Sequence, residues 1–298
     1  MKKISIIFIC FLSSHIYGNC LTSEPKISDY YESKQYSLRN LNFINVEFNS
    51  LDEIREHACK NNSSAELILG YEYLRGIYLE KDISKSIYWL ERAIKNGSKE
   101  ANIYLGEIYS NANEFSYDLP KAISHFEEAA NGSKLSPLAL FNLGLIYQSN
   151  DIEFGGISKA INYYKRSSDL GDISASYNLA LIYQNNKKYK DIKISIELYK
   201  LSISGGHKRA LNNLGTIFLT EDGYENLELA YQLFKKSHDA GNYYSAYYLG
   251  VMYDRGLFVD MDKDKAKYFL LEARNNGVEA AGVLQDSCPY YCAIFSSI

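Results

Sequence analysis

One pattern recurs along this chain and limits what it can fold into: Ala, three residues, Leu-Gly, two residues, Tyr. It is complete at Ala65, Leu69, Gly70 and Tyr73, at Ala101, Leu105, Gly106 and Tyr109, and at Ala139, Leu143, Gly144 and Tyr147. Variants follow with Ala175, Leu179, Ala180 and Tyr183, with Ala210, Leu214, Gly215 and Phe218, and with Ser245, Leu249, Gly250 and Tyr253. A seventh copy starts at Ala280, Leu284 and Gln285 and is not completed. The glycine position returns every 35 to 38 residues. A period of that length marks stacked supersecondary units.

Each copy has a second half, in which a small residue is followed by an aromatic, Ala or Ser, and then Gly. Copy one reads Ser86, Trp89, Ala93, Gly97, and copy two Ala122, Phe126, Ala129, Gly132. Copies three, five and six repeat it as Ala160, Tyr164, Ser167, Gly171, as Ala230, Phe234, Ser237, Gly241, and as Ala266, Phe269, Ala273, Gly277. Offsets of three and four place residues on one face of a helix. Each copy is therefore expected to be two amphipathic helices, A and B, with the closing Gly in the left-handed position that ends helix B. Glycine inside helix A costs about 1 kcal/mol relative to Ala; close approach of helix B is the expected compensation, and Ala180 shows that a methyl is accepted in copy four. A single helix pair cannot bury its apolar face alone, whereas a stack can. The fold class expected is all-α, a right-handed α-α superhelical solenoid of about six helix-turn-helix repeats with helical caps.

The ends differ from the repeats. Residues 1–18 read as a secretory signal peptide: Lys2 and Lys3 precede an apolar run over 4–12 that is too short to span a bilayer. Residues 19–49 read as an extended or partly ordered leader, 50–63 as an N-terminal capping helix, 64–287 as the solenoid with a lone helix A over 278–287, and 288–298 as a tail. The mature chain is expected to be exported, periplasmic or secreted, with no transmembrane span. Cys20 raises a lipid anchor, but Tyr17, Gly18 and Asn19 fit a lipobox poorly, since acylation favours a small residue directly before the cysteine. Cys288 and Cys292 are the candidate disulfide, being near neighbours, with free thiols or a redox or metal role as alternatives. The net charge of −4 without a basic stripe argues against nucleic acid as a partner.

The repeat resembles the SEL-one-like repeat, a relative of the tetratricopeptide repeat, over residues 64–277. Copies one and six keep a loop glycine after the Tyr, Gly76 and Gly256, with Asp82 and Asp262 leading into helix B. Copies two to five depart there, with irregular A–B loops such as 110–120 and 148–158. The resemblance implies protein binding, by adaptors, assembly factors and exported bacterial regulators, inhibitors or immunity proteins. A cysteine-rich branch is linked to β-lactam hydrolysis, but the repeats here contain no cysteine.

No catalytic constellation is present: no nucleophile elbow, zinc-binding helix motif, P-loop or dinucleotide fingerprint. His57, His125, His207 and His238 lack metal-ligand spacing, and the Asp-rich run 260–264 lacks the Gly and Glu of a calcium loop. No cofactor is expected, and the chain is read as a non-enzyme. In tetratricopeptide-like stacks helix A lines the concave face. The position three before the motif Gly then offers Ile103, Phe141, Tyr177, Asn212 and Tyr247, and the position after the Gly offers Glu107. These six are the candidate partner-binding residues, with packing between adjacent helices as the alternative for the aromatics. The function expected is an exported scaffold that holds a protein or peptide in a helical groove as a regulator, inhibitor or immunity protein. A β-lactam or peptidoglycan-fragment hydrolase and a secreted effector binding host proteins are the alternatives.

Overall fold

The computed structural model describes residues 48, 50–111, 116–132, 136–149 and 156–278. The calls for the leader, the closing helix A and the Cys288–Cys292 pair lie outside them. The chain divides into two compact units, residues 1–160 and 161–298. Among the described residues there are thirteen α-helices and no strand. The first unit holds α1 (Leu51–Cys59), α2 (Ser63–Arg75), α3 (Ile83–Lys95), α4 (Ala101–Ser110), α5 (Leu119–Ala130) and α6 (Ser136–Ser149). The boundary falls within α7 (Gly156–Asp169). The second unit continues with α8 (Ile173–Asn185), α9 (Ile192–Ser204), α10 (Lys208–Thr220), α11 (Leu227–Asp239), α12 (Tyr243–Arg255) and α13 (Lys263–Asn275).

The two helix types differ because they are covered differently. The A helix α2 buries Ala65 through Gly70 without a break, then Glu72, Tyr73 and Leu74. The B helix α3 buries only the stripe Ile83, Ser86, Trp89, Leu90 and Ala93. An A helix is packed on one side by its own B helix and on the other by the preceding element, whereas a B helix keeps an outer face in water. Core clusters accordingly join one copy to the next, as where Ile196 and Tyr199 of α9 pack with Ala210, Leu214 and Ile217 of α10. At the start of the first unit Leu51, Ile54 and Ala58 of α1 cover Ala65, Ile68 and Leu69 of α2. Ser50 caps α1, its hydroxyl accepting from the Glu53 amide at 3.1 Å. Burying side chains of this size contributes about 1.5–3 kcal/mol each.

The motif glycine sits where helix B comes closest. A Cβ on Gly106 would lie 2.7 Å from the Phe126 ring, one on Gly215 2.8 Å from Phe234, and one on Gly70 2.6 Å from Leu90. In copies one and six the residue over the glycine is Leu90 or Leu270, the neighbour of the motif aromatic Trp89 or Phe269. Small residues on helix B complete the contact, and a serine there is satisfied by the partner helix. Ser86 Oγ donates to the Gly70 carbonyl at 2.7 Å, and Ser195 Oγ to that of Ala180 at 2.9 Å.

The turns repeat as faithfully as the helices. Helix B ends with a glycine at positive φ, for example 103° at Gly97 and 87° at Gly241. A Cβ at either would meet nothing within 4 Å, so the backbone conformation selects glycine there and space does not. The next amide closes the turn, as from Ser98 to the Ala93 carbonyl at 2.8 Å and from Asn242 to that of Ser237 at 3.1 Å. The A–B loops among the described residues share one bond, whatever their sequence. The residue capping helix B donates its amide to the carbonyl of the motif aromatic: Asp82 to Tyr73 at 2.9 Å, Asp118 to Tyr109 at 2.8 Å, Asp191 to Tyr183 at 2.8 Å, Asn226 to Phe218 at 2.8 Å, and Asp262 to Tyr253 at 3.0 Å. The same side chains then cap the helix, as Asp262 does by accepting from the Lys265 amide at 2.9 Å. This bond holds its carboxyl below the usual range for aspartate.

Candidate functional site

In the second unit a cavity of about 640 Å³ opens at the N-terminal ends of α10 and α12, within the size range of ligand sites. Tyr177 of α8 forms one wall. Its ring stacks on His207 with centroids 4.2 Å apart, and it tilts against Tyr199 at 5.9 Å. Lys208, Arg209, Asn212 and Asn213 come from the first turns of α10. The turn 240–242 leads into Tyr243 and Tyr244 at the start of α12, and Asn276 and Val278 follow α13.

A hydrogen-bonded chain runs through this lining. Ser245 Oγ donates to Asn212 Oδ1 at 2.9 Å, and Asn212 Nδ2 lies 3.5 Å from Asn213 Oδ1. Asn213 Nδ2 donates to the hydroxyls of Tyr177 at 3.1 Å and Tyr199 at 3.3 Å. The Tyr199 hydroxyl donates to Gln184 Oε1 at 2.7 Å, and burial pushes its pKa far above the usual tyrosine value. Tyr177 accepts from Asn213 and has no acceptor for its own proton among the described residues, so its hydroxyl is a spare donor in the cavity wall.

Charge in the lining is of one sign. Lys208 and Arg209 are the only ionisable groups among the lining side chains besides the tyrosines. Both are exposed, and neither has an ion-pair partner among the described residues. Among carboxylates on neighbouring turns, Asp239 precedes the lining Ala240 with its side chain 67% exposed, 3.9 Å from His238 Nδ1, and two others are engaged elsewhere. Asp172 caps α8, accepting from Ser174 and Ala175 at 2.8 and 2.9 Å, and Glu272 holds His238 Nε2 at 2.9 Å. The start of α10 is also poorly provided for: His207 at the N-cap makes no side-chain capping bond. Its Nδ1 is buried without a hydrogen-bond partner. Burial first, and the neighbouring Arg209 charge second, hold its pKa below the ordinary 6.5, so the ring is neutral at neutral pH.

Of the six candidate residues, Tyr177 and Asn212 line this cavity. Tyr247, 4% exposed, packs in the core with Ala246, Val251 and Leu270. Ile103 is likewise core at 2%, so neither side chain lines this cavity. Phe141 is half-buried in the first unit. Glu107 is held by Arg75 at 2.5 and 2.7 Å, and that guanidinium lies 5.4 Å from the Tyr71 ring, which in turn meets Tyr104 edge-on. Lys208, Arg209, Tyr243 and Tyr244 were not among the candidates. Their signal is that they directly follow the B–A turns, in Gly206-His207-Lys208-Arg209 and Gly241-Asn242-Tyr243-Tyr244.

The other histidines serve packing and hydrogen bonding. His125 Nδ1 lies 2.9 Å from Asn102 Oδ1 and its ring stacks on Tyr109. No group of three potential metal ligands comes together among the described residues. Cys59 is disulfide-bonded. No described helix is long and apolar enough to cross a membrane.

The Sel1 repeat matches six segments of the chain: 63–98, 99–133, 137–172, 173–207, 208–242 and 244–278. A protective antigen present in uropathogenic Escherichia coli strains and displaying an SLR fold is 24% identical, with a TM-score of 0.70 over 78% of this chain; this chain covers 50% of the antigen's length. A Sel1 repeat protein from Oxalobacter formigenes is 25% identical, with a TM-score of 0.60 over 73% of this chain and 89% of its own. An immunity protein from Pseudomonas aeruginosa is matched at 15% identity over 72% of this chain and 81% of its own, with a TM-score of 0.41, a superposition too loose to argue from. No curated protein matches the sequence.

Proposed function

This chain belongs to the Sel1 repeat family, and from that premise we propose that it is an exported scaffold that holds a partner protein at the cavity of its second unit and so regulates or inhibits it. The Sel1 scaffold is typical of protein–protein interaction and is generally non-catalytic. The observation that carries the reading is the cavity itself: spare donors and the exposed Tyr244 at its mouth, 61% accessible, meet where successive A helices begin. Aromatic side chains in such positions make good interface anchors because they bring large contact area at small entropic cost. Two features support export. Lys2 and Lys3 precede a short apolar run, and the Cys59 disulfide suits an oxidising compartment. Stoichiometric holding of this kind is how a regulator, inhibitor or immunity protein acts, and it requires no covalent step.

The test is capture with tagged residues 19–298 from the source organism's periplasmic and secreted extracts, beside the variant Tyr244→Ala. A near-stoichiometric partner that the variant loses supports the reading. A partner retained undiminished by the variant, or no partner in either extract, overturns it.

A further inference from the structure

We propose that the occupant of the second unit's cavity is an acidic polypeptide segment, whose carboxylates lie against Lys208 and Arg209 while its backbone is read by the asparagine and tyrosine donors of the wall. This rests on the protein-binding reading above and adds the chemistry of the partner. The balance of donors and acceptors carries it. Lys208 and Arg209 supply only donors, and both are without an ion pair among the described residues. Tyr177 has a proton to give, because its oxygen already accepts from Asn213. Asn212 has its oxygen occupied by Ser245 and one amide hydrogen directed at Asn213 Oδ1 at 3.5 Å, which leaves its second amide hydrogen to give. A lining so rich in spare donors is complemented by a ligand rich in acceptors. A guanidinium further favours carboxylates, which match its planar fork.

The placement of the cations points the same way. Lys208 and Arg209 occupy the first turn of α10, where the helix dipole disfavours positive charge and where His207 provides no side-chain cap. The adjacent A helices begin on side chains that do cap, Asp172 and Asn242. Carboxylates arriving at the cavity would offset both cations at a helix start that lacks a side-chain cap. A polypeptide fits better than a small anion because the cavity, about 640 Å³, continues to the exposed rings of Tyr243 and Tyr244, 37% and 61% accessible. These offer stacking and hydroxyl contacts that a lone ion would leave unused.

The experiment is fluorescence anisotropy on the mature chain with a labelled dodecapeptide of alternating Glu and Gly around a central Phe, beside the same peptide with Gln for Glu. Heparin is the non-peptide polyanion control. The glutamate peptide is expected to bind at least about tenfold tighter than the glutamine peptide. Lys208→Gln/Arg209→Gln should lose about tenfold, and Tyr244→Ala a smaller factor, with circular dichroism melts unchanged. Equal binding of the two peptides overturns the proposal, as does a double variant that binds like the parent. Heparin binding that is tighter than the peptide and insensitive to Tyr244→Ala overturns it in favour of a bare electrostatic patch. Applied to the captured partner, the same variants separate the two claims. A partner lost with Tyr244→Ala but kept by the charge variant leaves the scaffold reading standing and sinks this one.

Discussion

Copy two in the first unit and copy five in the second share a backbone plan and treat their charges in opposite ways. In the first unit Arg75 is locked to Glu107 across neighbouring A helices and lies over Tyr71, which meets the buried Tyr104. Where copy two has Ile103, Tyr104 and Glu107, copy five has Asn212, Asn213 and Thr216. Where copy two opens on Lys99 and Glu100, copy five opens on Lys208 and Arg209. One surface is closed by an aromatic pair and an ion pair; the other is left with a polar cavity and two unpartnered cations. Positions of an A helix beside the motif glycine thus differ between copies while the repeat persists, because the glycine contact and the turns recur in both.

The largest test of that contrast lies in the first unit. Glu66 is fully buried, held by Arg92 at 2.9 Å and by Asn96 at 2.7 Å, and burial raises its pKa. Arg92→Leu strands that carboxylate and should cost about 3–5 kcal/mol, read by urea unfolding. The loss should shrink on acidification toward the ordinary 4.5, since a raised folded-state pKa lets the native state take up a proton first. A loss that stays constant with pH would remove Glu66 from the explanation.

Next comes the contact that both units share. Gly106→Leu and Gly215→Leu should each destabilise by about 1–3 kcal/mol or more through overpacking against Phe126 and Phe234. If only one of the pair lowers the thermal midpoint, the two units are not built on the same A–B contact. Charge substitutions should then divide the units. A double-mutant cycle on Arg75 and Glu107 should return about 0.5 kcal/mol, as expected for a half-exposed pair. Lys208→Gln/Arg209→Gln should change stability by less than about 0.5 kcal/mol, and a larger loss would mean that these cations are structural.

The smallest effect concerns the histidines. Burial lowers the pKa of His125 and of His207. The unfolded chain therefore binds more protons, and the stability they contribute is complete above 6.5 and declines as pH falls below that value. A melt profile that is flat between pH 7 and 5.5 would count against both. With an acidic peptide bound near Arg209, the His207 titration seen by NMR should move upward while that of His125 stays put.

Much of this architecture is legible in the sequence because it is periodic. Small residues at fixed offsets identify helix pairs, and glycine after helix B identifies the turn. Two kinds of feature are not legible. The A–B loops differ in length and composition, yet each described one returns an amide to the carbonyl of the motif aromatic. Backbone atoms make that bond, so side-chain identity does not encode it. The sequence also cannot tell which of two adjacent large residues covers the glycine, and in copies one and six the leucine does so beside Trp89 or Phe269. The cavity was half legible. Tyr177 and Asn212 follow from the repeat register, whereas Lys208, Arg209, Tyr243 and Tyr244 stand outside the repeated motif and give no periodic signal.

The sequence by itself determined the number of repeats, the pairing of A with B and the positions where backbones must come close, because 3.6-residue periodicity and glycine leave few other ways to bury the apolar stripes. Tertiary structure alone decided which candidates line the cavity. Tyr177 and Tyr247 hold the same register, but Tyr177 stacks on His207 at the cavity wall while Tyr247 is enclosed by Val251, Leu270 and Val278. The difference lies in which neighbours the packing brings to each ring: His207, just before α10, at Tyr177, and Leu270 of α13 with Val278 at Tyr247.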